Sequence, residues 1–117
     1  MIQPVLIADS MDAVFRALGH PDRRKILDLL KAHPGSAVND VCAHFETSRI
    51  AVMKHLKVLE AAHLVHSEKE GRVRHLYFNA VPIQLIYDRW TTEYSALWAE
   101  RMTRLKYWIE SKEKRND

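Results

Sequence analysis

One cysteine, Cys42, excludes an intramolecular disulfide, and a lone thiol without a resolving partner argues against a redox switch within one chain, with a pair between subunits left open. Both facts suit a reducing compartment. Three glycines and four prolines are all that interrupt 117 residues, which leaves short connections and favours a helix-rich fold. No Gly-rich phosphate loop, Gly-x-Ser-x-Gly elbow or His-Glu-x-x-His string occurs, and no carboxylate pair stands out from ordinary surface charge. An enzyme is therefore not expected, nor is a cofactor. No apolar run reaches membrane length, and Val5-Leu6-Ile7 has neither the basic flank nor the length of a signal peptide. The chain reads as soluble, cytoplasmic and free of membrane contact.

What is present is a 47% hydrophobic share with three tryptophans, enough for one domain over 1–117 with its own core. The net charge is only +3, yet its placement is uneven. Between Arg49 and His75 six cations (Arg49, Lys54, Lys57, Lys69, Arg72, Arg74) face three acids (Glu60, Glu68, Glu70), while the rest of the chain balances at twelve of each sign. The whole excess lies in one segment, as expected of a footprint on a polyanion.

Helical periodicity begins behind Asp9-Ser10 with Met11, Val14, Phe15 and Leu18, and stops at Gly19. Pro21 suits the first position of a second helix, with Ile26, Leu27 and Leu30 inward. Arg23, Arg24 and Lys25 in its first turn oppose the helix dipole and read as surface charges open to phosphate contact. A third helix is expected over Ser36 to Phe45, capped by Ser36 or Asn39, with Val38, Val41, Cys42 and Phe45 inward.

After only Glu46-Thr47, Ser48 can cap a fourth helix, about 48–62. Val52, Leu56, Leu59 and His63 fall on one side of it; Arg49, Ile50, Met53, Lys54 and Lys57 spread over the other. Two helices joined so tightly, the second longer and basic, match a helix-turn-helix. The period then changes to that of strands. Leu64 to Lys69 and Val73 to Phe78 read as a hairpin across Glu70-Gly71-Arg72, a cationic wing of about 64–79. Val65, Leu76 and Phe78 must pack on the helices, because a lone hairpin is marginal in water. Pro82 opens a last helix of about 82–113, roughly 45 Å long if unbroken. Its apolar stripe carries every tryptophan, and the body is too small to bury it, which favours a homodimer interface.

The strings Phe15-Arg16-Ala17-Leu18-Gly19-His20-Pro21-Asp22-Arg23-Arg24-Lys25-Ile26-Leu27, Ser48-Arg49-Ile50-Ala51-Val52-Met53-Lys54-His55-Leu56-Lys57-Val58-Leu59 and Gly71-Arg72 resemble the ArsR/SmtB-type winged-helix repressors, over residues 11 to about 110. The resemblance implies a mainly α fold with a small β-hairpin in α-α-α-α-β-β-α order, dimerisation through the terminal helices, and release of an operator by an inducer or metal. The tail from Trp90 to Met102 looks like the subgroup with an extended aromatic last helix and no recognisable metal site. Where metal-responsive members have a cysteine pair this chain has Ala37 and Asn39, and all seven histidines lie between His20 and His75, so the family's His-carboxylate site on the last helix cannot be built. His55, His63, His66 and His75, at spacings of eight, three and nine, form no i, i+4 pair and read as structural. Metal-responsive regulation is thus less favoured than non-metal or unliganded regulation, and no residue pattern names a small-molecule inducer.

The resulting expectation is a homodimeric repressor of double-stranded DNA with an inverted-repeat operator. Arg49 is the candidate base reader, since its fork suits guanine O6 and N7. Ile50, Ala51 and Met53 face thymine methyls; Ser48, Lys54, Lys57, Arg72 and Arg74 hold phosphates, and Lys69 adds wing charge. His55 is placed at the flank of the recognition helix, either packed or on a phosphate. Met11, Val14, Phe15, Trp90, Tyr94, Leu97, Trp98, Met102 and Leu105 are assigned to the dimer interface. A winged-helix protein-interaction module or an RNA binder would share this fold, so the fold does not decide between them.

Overall fold

The computed structural model describes residues 8–116, with side-chain placement for all of these except residues 8, 9, 92–97, 115 and 116. The elements are α1 (Ala8–Leu18), α2 (Pro21–Ala32), β1 (Ser36–Ala37), α3 (Val38–Cys42), α4 (Arg49–Ala61), β2 (Val65–Glu70), β3 (Val73–Phe78) and α5 (Val81–Asn116). Residues up to Leu85 form one compact unit and residues from Ile86 a second. The expected order of four helices, hairpin and helix holds, with one addition, the two-residue strand β1.

The core of the first unit is built from the stripes that helical spacing marks. Ile26 and Leu30 of α2, Val52, Leu56 and Leu59 of α4, Leu64 after it and Leu76 of β3 are almost completely buried. Each such side chain removes from water an apolar area worth about 1.5–3 kcal/mol. Met11 and Val14 of α1 belong to this core too, at 8% and 3% exposure. The dimer contact expected of these two is not available: the chain's own interior covers them, so they offer no free surface to a partner. Phe15, one position on, is 47% exposed.

Ser36 departs from the sequence reading. Instead of capping a helix from 36 to 45, it pairs with Leu76, and Ala37 with His75, as an antiparallel edge of the wing sheet in the order β1-β3-β2. The Gly35 N–H, at a φ of 85°, donates to the Leu76 carbonyl (2.9 Å). The Ser36 hydroxyl turns back to the His33 carbonyl (2.7 Å). The cap of α3 comes from its third residue, whose Asp40 carboxylate accepts the Ala37 N–H (3.1 Å). Val38 and Val41 are buried as expected; Cys42 and Phe45 are half-buried.

At the other end of α4, His63 is not on the packing face. It is exposed and left-handed (φ 62°), and the Leu64 N–H reaches back to Leu59 O while the His63 N–H reaches Glu60 O, both at 3.0 Å. This is a Schellman closure, whose left-handed position ends the helix and carries His63 off the stripe. Asn79 fastens the same corner by donating Nδ2 to the His63 carbonyl (2.8 Å).

Arg23, Arg24 and Lys25 are likewise not free surface charges. Arg23 donates Nε to Ala17 O (2.8 Å) and Nη2 to Arg16 O (2.9 Å), and Arg24 donates Nη1 to Leu18 O (2.8 Å). Lys25 donates Nζ to His44 O (2.6 Å) over the Phe45 ring. The cations sit at the carbonyl ends of neighbouring segments, where partial negative charge accumulates. This explains their unfavourable position on their own helix.

Candidate nucleic-acid interface

Ser48 starts α4 as anticipated. Its backbone is extended and its Oγ accepts the Ala51 N–H (3.2 Å). The Ser48→Ala variant is expected to lose about 1 kcal/mol of stability, with Ser48→Asn recovering most of it, as measured by urea unfolding. With Val52, Leu56 and Leu59 packed inward, rotation along the helix leaves Arg49, Ile50, Lys54 and Lys57 exposed and Ala51 and Met53 half-buried. Ile50 is 70% exposed.

The wing closes as a two-residue turn. Glu70 pairs with Val73 in register, leaving Gly71 and Arg72 at the tip. Gly71 has a φ of 63° while Arg72 keeps a negative one, the pattern of a type II′ hairpin turn that needs glycine first. Lys69 and Arg72 are exposed.

Three side chains have partners that residue order alone does not reveal. Arg74 was expected on a phosphate. It instead forms an ion pair with Glu60 of α4 and donates to Ser67 Oγ (3.3 Å), so it ties the wing to the recognition helix and is not a free cation. For His55, expected either packed or on a phosphate, the packed alternative holds. Its side chain is only 16% exposed and is turned toward the start of α2. There its ring lies 4.4 Å from that of His20, its Nδ1 accepts from Arg23 Nη1 (3.4 Å), and its Nε2 is 3.9 Å from Asp22 Oδ2. Burial first, then His20 and Arg23, hold the His55 pKa below the ordinary imidazole value, with Asp22 opposing. The third is Asn39 of α3, whose Oδ1 accepts from Arg49 Nη1. Neither Asn39 nor Glu60 carries a signal of this role in the sequence, because their partners are ten and fourteen positions away.

Between α4 and β3 these residues frame a groove of about 410 Å³ with Ile50, Met53 and Leu56 on its apolar side and Arg49, Lys54, Lys57 and the Glu60–Arg74 pair around it. A smaller one of about 220 Å³ runs from Ala37 and Asn39 past Arg49 to Arg72 and Arg74. Cations line both grooves, and no catalytic constellation occurs among the described residues.

In the second unit, Trp90, Trp98, Met102 and Leu105 are all exposed, as are Trp108 and Ile109. Trp98, Met102, Leu105 and Ile109, at spacings of four, three and four, lie on one helical face. The side chains of Tyr94 and Leu97, also assigned to the interface, lie outside the described residues.

A short bracing helix, a capped basic helix and a Gly-turned hairpin define a winged helix-turn-helix, the architecture of a DNA-binding regulator. A helix-turn-helix domain family model matches residues 18–68. The transcriptional repressor SdpR of Bacillus subtilis is 35% identical over 74 residues, 63% of this chain and 81% of the relative. The HTH-type transcriptional regulator YuzN of the same organism is 38% identical over 85 residues, 68% of this chain and 92% of the relative. Among solved structures, an ArsR family transcriptional regulator superposes with a TM-score of 0.66 at 28% identity, over 80% of this chain and 94% of its own. An ArsR-like transcriptional regulator from a Rhodococcus species gives 0.62 at 28% identity, over 85% and 92%. The chain belongs to the ArsR-type winged helix-turn-helix transcriptional regulators, and such proteins are not enzymes. None of its described helices is long and apolar enough to cross a membrane.

Proposed function

We propose that the chain is a cytoplasmic, homodimeric repressor whose two recognition helices read an imperfect inverted repeat in duplex DNA. The observation that carries this reading is the division of α4: Val52, Leu56 and Leu59 are buried, while Arg49, Ile50, Lys54 and Lys57 stand exposed behind a fixed N-cap. In the major groove, Arg49 reads a guanine through its paired N–H donors, and Ile50, Ala51 and Met53 meet thymine methyls. Lys54 and Lys57 hold phosphates, and so does the hydroxyl of Ser48 beside the free amides of the helix start. Arg72 and Lys69 of the wing add backbone or minor-groove contact. Dimerisation rests on the exposed apolar face of α5, with Phe15 as a further exposed apolar residue on α1. A two-fold protein meets two half-sites with centres about 34–36 Å apart or a multiple of that.

The roles of Arg49 and Lys54 separate in one experiment. Arg49→Ala is expected to cost roughly 1–3 kcal/mol and to relax preference at one base position, whereas Lys54→Ala weakens all sequences alike and lowers the salt slope by about one. Titration of specific and scrambled duplexes across a salt series measures both. Equal loss on the two duplexes for Arg49→Ala would remove its base-reading role.

A further inference from the structure

We propose that His20, Asp22 and His55 form a binding site for a divalent transition-metal ion of the zinc class, joining the start of α2 to the recognition helix. One ligand atom from each residue lies within 4.8 Å of the others, and among the described residues they are the one such trio of His, Cys or acidic groups. The His55 Nε2 and Asp22 Oδ2 atoms are 3.9 Å apart. Ligands of a tetrahedral zinc, bonded at about 2.0–2.2 Å, stand about 3.4 Å from one another, so that pair needs to close by only a few tenths of an ångström. Two imidazole nitrogens and one carboxylate oxygen are a borderline donor set that suits zinc or cobalt better than calcium or magnesium. With water as a fourth ligand the site is of the open, three-residue kind.

The hydrogen bonds around the trio define what ion binding must change. His20 Nδ1 accepts the Asp22 N–H (3.1 Å) as the cap of α2, and His55 Nδ1 accepts from Arg23. Ligation of His55 through Nε2, the nitrogen nearest Asp22, moves the proton of its neutral ring to Nδ1 with no net proton released, and a ligating His20 ceases to accept the Asp22 N–H. The Asp22 N–H then turns to water at the exposed start of the helix. Arg23 gives up its 3.4 Å contact with His55 while keeping its bonds to Arg16 and Ala17. The guanidinium and the positive end of α2 both oppose a cation, and the Asp22 carboxylate offsets them. A site exchanging with free metal follows, weaker than one built from thiolates. His66 and His75, by contrast, each meet one glutamate, Glu68 and Glu70 respectively. The inference stands on the packing of α2 against α4 and does not depend on the DNA reading.

The test is titration of Co²⁺ into the full chain near neutral pH, followed by visible absorption and displacement by Zn²⁺. Wild type is expected to bind one equivalent with the bands of four-coordinate cobalt. His20→Asn keeps an oxygen able to cap α2 but has no imidazole; it should retain the metal-free thermal midpoint and bind cobalt about tenfold or more weaker. Asp22→Asn and His55→Gln should weaken binding similarly, and the paired replacement His44→Gln with His66→Gln should leave it unchanged. Because His55 is partly buried and its variant can lose stability, imidazole ¹⁵N shifts of wild type during Zn²⁺ addition give a second reading, in which His20 and His55 move and His33 and His44 do not. Absence of one-equivalent binding in wild type, wild-type affinity in His20→Asn, or shifts confined to other histidines would overturn the site.

Discussion

Replacing Trp98, Met102 and Leu105 together with glutamine should give a monomer whose affinity for an inverted-repeat operator is lower by about 10²–10⁴-fold. The three side chains are exposed on one face of α5, and glutamine keeps the helix propensity of that face while removing its apolar area. Loss of the partner removes no contact between α4 and DNA. It converts the second half-site from an intramolecular event to an independent one, so affinity falls while the single-site contacts stay intact. Analytical ultracentrifugation would give the mass, circular dichroism the retained helix, and titration of operator against an isolated half-site the affinity ratio. The half-site affinity should change little. If the triple variant sediments and binds as wild type does, α5 is not the interface, and a monomeric wild type at micromolar concentration would overturn the proposed dimer.

Leu56→Ala should cost about 2–5 kcal/mol of stability, a large part of the 5–15 kcal/mol typical of a whole domain. Leu56 is 1% exposed, in the middle of α4 between Val52 and Leu59, both completely buried. Truncation leaves a cavity under the recognition helix, and DNA binding should fall because fewer molecules are folded. Urea unfolding measures the loss, and binding corrected for the folded fraction should approach that of wild type at low temperature. A cost below about 1 kcal/mol would show that α4 packs less closely than its burial indicates.

Much of this architecture is legible in the residue order because its determinants are local. The three- and four-residue spacing of Val52, Leu56 and Leu59 marks the buried stripe of α4, Ser48 marks its start, and Gly71 marks the turn of the wing. What escapes sequence reading depends on partners distant along the chain. The strand at Ser36 and Ala37 has only two residues and exists because β3 lies beside it. A count of cations cannot distinguish Arg74, spent on Glu60, from Arg72 at the open tip. His20 and His55 are 35 positions apart and are brought together by α2 packing on α4, so searching for ligands among histidines near in sequence passes over the pair. His63 fails for the opposite reason, since its spacing is right but the helix has already ended.

The interface has a consistent internal logic. Arg74 holds the hairpin to α4 through Glu60, Asn39 holds Arg49 from the preceding helix, and His55 anchors α4 to α2. Each uses a polar side chain to set the orientation of a segment whose other residues remain free. That arrangement suits recognition through a rigid element, where little rearrangement is needed on contact.

The most direct measurement is selection of wild-type protein against a random duplex library, with single-stranded RNA as a competing pool. The recovered sequences should share an imperfect inverted repeat with half-site centres about one helical turn apart or a multiple of it, and Arg49→Ala should lose preference at one position in each half. Enrichment of RNA over duplex, or duplex recovery without any shared sequence, would contradict a repressor that reads DNA through the outward face of α4.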